Sequence, residues 1–521
     1  MDFNKSYRSE RIPVFAENIV ATSQPLATQA GIKILQSGGN AVDAALAAAI
    51  VLTVVEPTGN GLGSDAVVIL SDEEQTIAIN GTGHSPSGWT EERFVNNKAM
   101  PLFGWDSVTV PGAVKLWWRL SEQYGRISFP ELFKNAISYA KNGFFVGNKV
   151  ALEWKHYYGI VRNANDAFRQ EFYPVPNIGD RLKREKMSYT LEEIASSGFS
   201  SFYEGEIAST IVRQSSTEGG VITPDDLADY EPNIVEPIKI CFRDVEIAEL
   251  PPNTQGLYAL VALGILNYLP IAELDSTDFF HYQIEAMKLS LKICRNMIAD
   301  PNFYEFEFGD AFDEEVFTNY ASSISNTAKP LSCNLTDKSQ DTVYLATADA
   351  SGLMVSFIQS NYLGFGSGVV IKEKGIVLHN RGAGFSLNPM HPNIVGPRKK
   401  PFHTIIPGIV LKSGRPLMAF GMMGGPMQPQ GHVQLLDRII THKLNPQSAC
   451  DAPRWQVIEK GKVIVESSFP KRTVEELSNR GHDIGFEKNE IFFGGAQVIQ
   501  KIQGGFVAGT DPRKDGCAAG F

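Results

Sequence analysis

The segment from Asp341 to Gly368 constrains the fold more than any other part of the chain. After Thr342, one set of residues, Val343, Leu345 and Thr347, alternates with another, Tyr344, Ala346 and Ala348. This period of two predicts a β-strand. Ala350-Ser351-Gly352 predicts a turn, and the run from Met354 to Ile358 predicts a second strand. Gly364, Gly366 and Gly368 then occupy alternate positions, where a backbone without Cβ atoms can approach a ligand or another strand closely. The sequence therefore predicts a hairpin followed by a close backbone approach.

The chain before this hairpin has a strong helical pattern. A helix is predicted from Gln24 to Gln36 and a second from Ala41 to Val55, which is apolar on nearly every side and therefore expected inside the protein. Short strands are expected at 66–70 and 76–80, and a helix begins after Pro111-Gly112 and ends at Gly125. Residues 129–334 are predicted to be mainly helical.

From Thr342 onward the pattern changes to short strands and turns, with a helical run at 432–440 and strands at 462–466 and 496–500. A helix-rich first part and a strand-rich second part favour a layered α+β architecture. With 521 residues, one or two domains with a substantial core are expected.

A glycine-rich loop from Glu56 to Ser64 joins the apolar helix to the strand at 66–70. Its spacing is neither G-x-G-x-x-G nor G-x-x-x-x-G-K, and it does not open a helix, which argues against a nucleotide phosphate loop. A tight turn that brings backbone close to a neighbouring site is favoured.

Charge and cysteine content exclude several classes of function. The net charge of −11 disfavours nucleic-acid binding, and the basic run Arg398-Lys399-Lys400 is interpreted as a solvated loop. The histidines lack metal-ligand spacing, so neither a metal nor another cofactor is predicted. Five scattered cysteines, at 241, 294, 333, 450 and 517, suggest no disulfide framework. With no apolar leader after Met1 and no membrane-spanning run, a cytoplasmic protein is expected.

Several motifs in order resemble the γ-glutamyltranspeptidase family of N-terminal-nucleophile hydrolases. They are Pro25-Leu26-Ala27, Gly38 to Ala44, Val110-Pro111-Gly112, Asp225 to Ala228, the hairpin with its Thr342, Gly424-Gly425 and Asp511-Pro512-Arg513. The resemblance implies the four-layer α-β-β-α sandwich of that fold. It also implies cleavage between Asp341 and Thr342 into a helix-rich large fragment, 1–341, and a small fragment, 342–521, which together form one intertwined catalytic domain.

The implied chemistry rests on Thr342. A threonine hydroxyl needs a base, and cleavage would free an α-amino group that can serve its own Oγ. By resemblance, Ser360 orients the nucleophile, and Gly424 and Gly425 supply the backbone donors of an oxyanion hole. Main-chain N–H groups without Cβ atoms suit a developing negative charge.

The expected specificity departs from the γ-glutamyl-transferring members. The arginine that grips the glutamyl α-carboxylate is missing around Thr82, and the acidic residue that grips the α-amino group is replaced by Gly384. The corresponding pocket instead offers Tyr362, Arg381, His403 and Thr404. An ammonium group without a carboxylate partner would bind poorly there, whereas Arg381 could hold a carboxylate. A structural ion pair is the alternative role for Arg381.

The sequence thus predicts a self-processing amide hydrolase or acyltransferase for a small carboxylate-bearing amide, with water or an amine as acceptor. This pattern resembles the oxamate amidohydrolase branch of the family. The alternatives are a true γ-glutamyltransferase or glutathione hydrolase and, from another class, a non-catalytic binding or scaffold protein. The two fragments are expected to stay associated, and a homodimer is a possible assembly; neither a nucleic-acid nor a membrane partner is predicted.

Overall fold

The computed structural model describes residues 10–163, 165–331 and 341–521, which form a mixed α/β protein. The helices are α1 Pro25–Gln36, α2 Ala41–Val55, α3 Ala113–Tyr124, α4 Phe129–Asn142, α5 Asn148–Val161, α6 Asp166–Phe172, α7 Glu185–Ser197, α8 Ser200–Tyr203, α9 Glu206–Thr217, α10 Pro224–Ala228, α11 Gly256–Asn267, α12 Thr277–Cys294, α13 Phe308–Ala311, α14 Glu314–Ser322, α15 Met427–Leu436, α16 Pro446–Asp451 and α17 Lys471–Asn479.

The strands follow the same chain order. They are β1 Val14–Ala16, β2 Ile19–Thr22, β3 Asp65–Ser71, β4 Thr76–Gly81, β5 Phe144–Phe145, β6 Arg181–Leu182, β7 Asn233–Val235, β8 Ile238–Phe242, β9 Val245–Glu249, β10 Asp341–Ala348, β11 Met354–Tyr362, β12 Val370–Ile371, β13 Ile376–Val377, β14 Pro407–Lys412, β15 Arg415–Met422, β16 Trp455–Val457, β17 Val463–Glu466, β18 Ile484–Glu487, β19 Ala496–Ile502, β20 Gly505–Thr510 and β21 Cys517–Gly520.

Two seven-stranded antiparallel sheets form the centre of the described structure. One has the order β21-β2-β10-β11-β3-β4-β7, with the predicted hairpin β10-β11 near its middle. The other has the order β1-β20-β19-β15-β14-β9-β8. Both sheets combine strands from the first and second parts of the chain, so neither part can complete a sheet alone.

Both faces of the central hairpin are buried. Val343 and Leu345 share a hydrophobic cluster with helix α2, whereas Tyr344 and Ala346 pack in a cluster with residues of the second sheet, such as Ile409. All fifteen residues of α2 are buried, as its uniformly apolar sequence predicts. The alternation seen in the sequence therefore separates two apolar faces rather than an apolar face from a polar one.

A third hydrophobic cluster joins α11, α12 and α15 to the second sheet, for example through Phe280, Val433 and Phe420. The helical run predicted at 432–440 is part of α15, which begins earlier, at Met427, and continues as a π-helix, Asp437–Thr441.

The structure confirms the predicted helices at α1, α2 and α3 and the strands at β3, β4, β10, β11, β17 and β19. The prediction that 129–334 is mainly helical is wrong for 233–249, which forms β7, β8 and β9. β7 pairs with β4 and β9 pairs with β14, both distant in sequence, and β8 pairs with β9. Local periodicity carries no signal of such partners.

The basic run at 398–400 is also different from its prediction as a solvated loop. Arg398 is exposed beside Asp229, but Lys399 and Lys400 are buried, with the backbone N–H of Lys400 donating to Asp300. Within the described residues, no helix is long and apolar enough to cross a membrane. Cys241, Cys294, Cys450 and Cys517 are free thiols, whereas Cys333 and the N-terminal residues 1–9 lie outside the described residues.

Candidate active site

Thr342 lies at a bulge at the beginning of β10. The pairing register with β11 shifts between Asp341, which faces Tyr362, and Val343, which faces Gln359. A bulge of this kind leaves one residue out of the regular pairing and redirects its side chain. Thr342 is fully buried, and its Oγ1 lies 3.0 Å from Oγ of Ser360 on the neighbouring strand.

Both hydroxyl groups contact the peptide bond that precedes Thr342. Thr342 Oγ1 donates to the carbonyl oxygen of Asp341 at 2.7 Å, and Ser360 Oγ lies 3.1 Å from the same oxygen. Ser360 Oγ also accepts from the backbone N–H of Tyr362 at 2.9 Å. The nucleophile candidate is thus held against the bond that the sequence predicts to be cut.

The glycine-rich loop at 56–64 packs against the backbone of Thr342. A Cβ on Gly59 would lie 3.0 Å from the backbone nitrogen of Thr342 and 3.1 Å from its carbonyl carbon. The carbonyl of Gly59 accepts from the backbone N–H of Asn361 at 2.9 Å. This confirms the prediction that the loop brings backbone close to a neighbouring site.

Arg381 lies in a short 3-10 helix, Arg381–Gly384, and is buried. Its Nη1 donates to Thr404 Oγ1 at 2.7 Å, and its guanidinium stacks over the ring of Tyr362 at 4.8 Å. Nε and Nη2 have no hydrogen-bond partner within the described part of the chain. Burial lowers the pKa of Arg381 to about 9, so the group is still a cation at neutral pH.

His403 binds Asp65 instead of pointing a free ring into the site. Its Nε2 lies 3.1 Å from Asp65 Oδ2, and burial with the nearby Arg381 cation holds its pKa well below the usual range. A neutral His403 therefore donates to the carboxylate. Asp65 also accepts from the backbone N–H groups of Gly83 and Gly112. Burial raises the pKa of Asp65 to about 7 against the opposing effect of Arg381.

Gly424 and Gly425 form a strained turn before α15. Their φ angles are 109° and 55°, both in the region that favours glycine. A Cβ on Gly424 would lie 3.0 Å from the Cα of Gly494. Gln255 fixes the turn, because its Nε2 donates to the carbonyls of Thr404, at 2.6 Å, and Gly425, at 2.8 Å.

A continuous series of contacts connects the predicted residues. It runs from Thr342 through Ser360, Tyr362, Arg381, Thr404 and Gln255 to Gly425. Gln255 belongs to this series, and Asp65 contacts His403; neither Gln255 nor Asp65 was predicted. Asp65 stands directly opposite Ser360 in the pairing of β3 with β11, and only that register reveals it.

A cavity of about 210 Å³ opens beside Gln255, Gly384 and Pro426. Its wall is largely apolar, with Tyr258, Ile298, Phe385 and Phe402 contributing. A Cβ on Gly384 would lie 2.5 Å from the carbonyl oxygen of Phe402. The backbone therefore leaves no room at this position for the acidic side chain of the γ-glutamyl-transferring enzymes.

A second group of charged residues lies on the other side of Thr342 and was not predicted. Lys514 Nζ contacts carboxylate oxygens of Glu56, at 3.2 Å, Glu153, at 2.5 Å, and Asp341, at 3.0 Å. We call these four residues the Lys514 cluster. The motif Asp511-Pro512-Arg513 precedes Lys514, but no sequence pattern links it to Glu56 or Glu153.

The comparisons with known proteins agree with one another. The family model described as Gamma-glutamyltranspeptidase matches residues 27–521. The glutathione hydrolase-like YwrD proenzyme of Bacillus subtilis is 34% identical over 97% of this chain and 98% of its own. The oxamate amidohydrolase proenzyme of Klebsiella pneumoniae is 33% identical over 95% and 97%. A crystal structure of cephalosporin acylase from Bacillus halodurans is similar with a TM-score of 0.95 and 41% identity, covering 100% of this chain and 99% of its own.

Proposed function

This chain belongs to the γ-glutamyltranspeptidase family, and we propose that it is a self-processing amide hydrolase of the acylase and oxamate amidohydrolase type. In this proposal it cuts itself between Asp341 and Thr342 and then uses Thr342 against a small amide that carries a carboxylate. The predicted four-layer sandwich, the fragments 1–341 and 342–521 and their association belong to the same proposal. The two relatives from Bacillus subtilis and Klebsiella pneumoniae are both proenzymes, which supports the proposal that this chain is processed by cleavage.

Thr342 and Ser360 support the nucleophile assignment. The two hydroxyls are 3.0 Å apart in a water-excluded place, and both reach the carbonyl of Asp341. After cleavage the α-amino group of Thr342, with a reference pKa of about 7.7–8.0, can accept the proton of its own Oγ. Ser360 is left as the hydroxyl that orients the nucleophile. Attack on a substrate amide then gives an acyl ester on Thr342, which water or an amine resolves.

Arg381 carries the substrate assignment. It is a buried cation that makes no ion pair with the described carboxylates, and two of its nitrogen donors are unsatisfied. Such a group is costly unless an anion occupies the site during function. A substrate carboxylate can take both free donors in the forked geometry that guanidinium groups favour. This support favours a binding role for Arg381 over a structural ion pair.

The cavity beside Gly384 supports a substrate without an α-ammonium group. No acidic side chain lines it among the described residues, and its apolar wall suits an uncharged segment between carboxylate and amide. This weakens the alternative of γ-glutamyl transfer from glutathione. The contact between Thr342 and Ser360, and the series of contacts that links them to Gly425, weaken the alternative of a non-catalytic binding or scaffold protein. A cytoplasmic location and a homodimer stay predictions.

The test has two measurements on the purified protein. Intact mass spectrometry should show two fragments that meet at Asp341 and Thr342. Glutaryl and γ-glutamyl anilides, which differ only by the α-ammonium group, then form a matched substrate pair. The glutaryl anilide should have the higher kcat/KM, and a valeryl anilide without the carboxylate should be poor. Efficient γ-glutamyl transfer to a dipeptide would instead restore the transpeptidase assignment.

A further inference from the structure

The Lys514 cluster contains three acidic groups and one ammonium group, and all four residues are buried. Glu56, Glu153 and Asp341 place carboxylate oxygens within 4.8 Å of one another, and Lys514 contacts all three. Glu153 Oε2 and Asp341 Oδ2 have no hydrogen-bond partner in the described structure. One ammonium group therefore serves three carboxylates, and two of their oxygens are left unsatisfied.

Burial and the sharing of one ammonium group by three carboxylates shift the pKa values in the cluster. Burial raises the pKa of Glu56 to about 7, and burial together with the neighbouring Asp341 raises the pKa of Glu153. The three carboxylates raise the pKa of Lys514, which keeps it charged. The Lys514 ammonium occupies the centre of the carboxylate group, where a metal ion would otherwise have to bind.

Asp341 connects this cluster to the bond that is cut. Its Oδ1 accepts from Lys514 Nζ at 3.0 Å and also from the backbone N–H of Thr342 at 3.0 Å. The side chain thus folds back onto the nitrogen of its own following peptide bond. That nitrogen is the leaving group of self-cleavage at Asp341 and Thr342.

We propose that Lys514, with Glu56 and Glu153, is a positioning device for self-cleavage, which holds the Asp341 carboxylate against the scissile nitrogen. The inference rests on the proposed function, because it requires cleavage at this bond. Lys514 acts through Asp341 and touches neither reacting atom of the bond. Its role ends when the bond has been cut, because Asp341 then becomes the C-terminal residue of the large fragment.

The step that the carboxylate assists is an acyl shift. Thr342 Oγ forms a bond to the carbonyl carbon of Asp341, the bond from that carbon to the Thr342 nitrogen breaks, and the hydroxyl proton ends on that nitrogen. The products are an ester of Asp341 on Oγ and a free amine. Water then hydrolyses the ester and releases the α-carboxylate of Asp341.

Positive charge develops on the nitrogen as it gains a proton, and a carboxylate at hydrogen-bond distance stabilises that charge in a water-excluded site. Lys514 prevents the carboxylate from turning away, since it binds the same Oδ1 atom. Glu56 and Glu153 hold Lys514 from two other elements, the loop after α2 and helix α5. Lys514 itself belongs to the segment that precedes β21.

Asp341→Asn provides the sharpest test, because it keeps the shape and the acceptor oxygen but removes the charge. The rate of self-cleavage, followed by intact mass spectrometry after rapid purification, should fall about 10- to 100-fold, as expected when one charge-assisted hydrogen bond is lost from a buried site. The thermal midpoint of the uncleaved chain should stay equal or rise, since one of three competing carboxylates has been removed. A merely structural role for Asp341 would lower both quantities.

Lys514→Met should slow self-cleavage by a similar factor, and Lys514→Arg should restore most of the rate because it keeps the charge. Lys149→Met is the matched control, since Lys149 lies on the same helix as Glu153 but pairs with Glu490 instead. Wild-type rates for Asp341→Asn and for a folded Lys514→Met would overturn the inference. Failure of the wild-type chain to cleave at all would instead remove the proposed function on which it rests.

Discussion

Thr342 lies between two buried groups of charged residues. Acidic groups outnumber basic groups in one of them, and the other is centred on a cation. On the side of Asp341, three carboxylates share the single ammonium of Lys514. On the side of Tyr362, the guanidinium of Arg381 has two unsatisfied donors and no ion pair among the described residues. The first group has three acidic groups for one ammonium group, whereas in the second the Arg381 cation is attracted by the buried Asp65 without a direct ion pair.

The difference indicates two kinds of event at one nucleophile. Self-cleavage would act on the first group once in the life of the chain, because it leaves Asp341 as the C-terminal residue of the large fragment and frees the α-amino group of Thr342. Arrival of a substrate carboxylate would complete Arg381 in every catalytic cycle. Unpaired buried charge is unfavourable to folding in both places. The presence of such charges on both sides of Thr342 is therefore best explained by a role in the chemistry of Thr342.

Replacement of Thr342 by alanine should have the largest effect, because it removes the hydroxyl group that is proposed to act in both self-cleavage and substrate hydrolysis. Thr342→Ala should stay one chain of 521 residues and should not hydrolyse amides. Thr342→Ser keeps a hydroxyl and should still cleave itself. Intact mass spectrometry and an anilide assay measure the two outcomes. An uncleaved wild-type chain that turns over amides would contradict the assignment of the N-terminal nucleophile.

Arg381→Gln tests the cationic side alone. It should lower kcat/KM for the glutaryl anilide, chiefly through KM, by about 2–5 kcal/mol of transition-state binding, as expected for one member of a desolvated charge pair. Self-cleavage should continue, because Arg381 does not contact Asp341. Arg295→Gln is the control, since Arg295 is an exposed arginine that lines the cavity beside Gly384. Equal losses for the glutaryl and valeryl anilides would show that Arg381 does not bind the carboxylate.

Gly425→Ala tests whether the turn beside Gln255 supplies oxyanion donors. Its φ of 55° makes a side chain there cost about 1–2 kcal/mol of stability. If the backbone donors are displaced, acylation in single-turnover experiments should slow by about 10²-fold or more. Gly414→Ala is a matched control, because Gly414 has a φ of 76° in a turn remote from the site. A rate loss no larger than the stability loss would return Gly425 to a structural role.

The smallest expected effect concerns stability against pH on the acidic side. Because the pKa of Glu56 in the folded chain is raised from 4.5 to about 7, the folded state binds more protons than the unfolded state between these values. The contribution of Glu56 to stability is therefore fully present below pH 4.5 and is lost as pH rises through about 7.

Glu56→Gln in the uncleaved Thr342→Ala chain should weaken this decline, by on the order of 1–2 kcal/mol between pH 5 and pH 8. Urea unfolding at the two pH values measures it. The exposed Glu73 provides the control, and Glu73→Gln should leave the slope unchanged. An unaltered slope in Glu56→Gln would show that other groups of the cluster carry the protons.

Much of the local structure follows from the sequence. The uniformly apolar α2 and the alternating β10-β11 hairpin are found where the patterns predict them, because each pattern depends only on residues that are close in sequence. Strands β7 and β9 were assigned to a helical region, since their partners β4 and β14 lie far away in the chain. Their stability as strands comes from pairing, not from local preference.

The candidate site likewise contains residues that the sequence predicted and residues that only the structure revealed. Motif order led to Thr342, Ser360, Tyr362, Arg381, His403, Thr404, Gly424 and Gly425, and the structure connects Thr342 to Arg381 and to Gly425 through direct contacts. Asp65, Gln255 and Lys514 were not predicted. They come from a strand, a loop and a segment near the C-terminus, and their significance lies in the distances between them and the predicted residues.

The sequence by itself identified the family, and it predicted the position of the nucleophile and the absence of the γ-glutamyl ammonium anchor at Gly384, because each depends on which residue type occupies a motif position. Only the tertiary structure decided which charges are balanced. Arg381 proved to be buried with unsatisfied donors, and Asp341 proved to share Lys514 with Glu56 and Glu153. Electrostatic energy depends on distance and on exclusion of water, and the linear order of residues records neither.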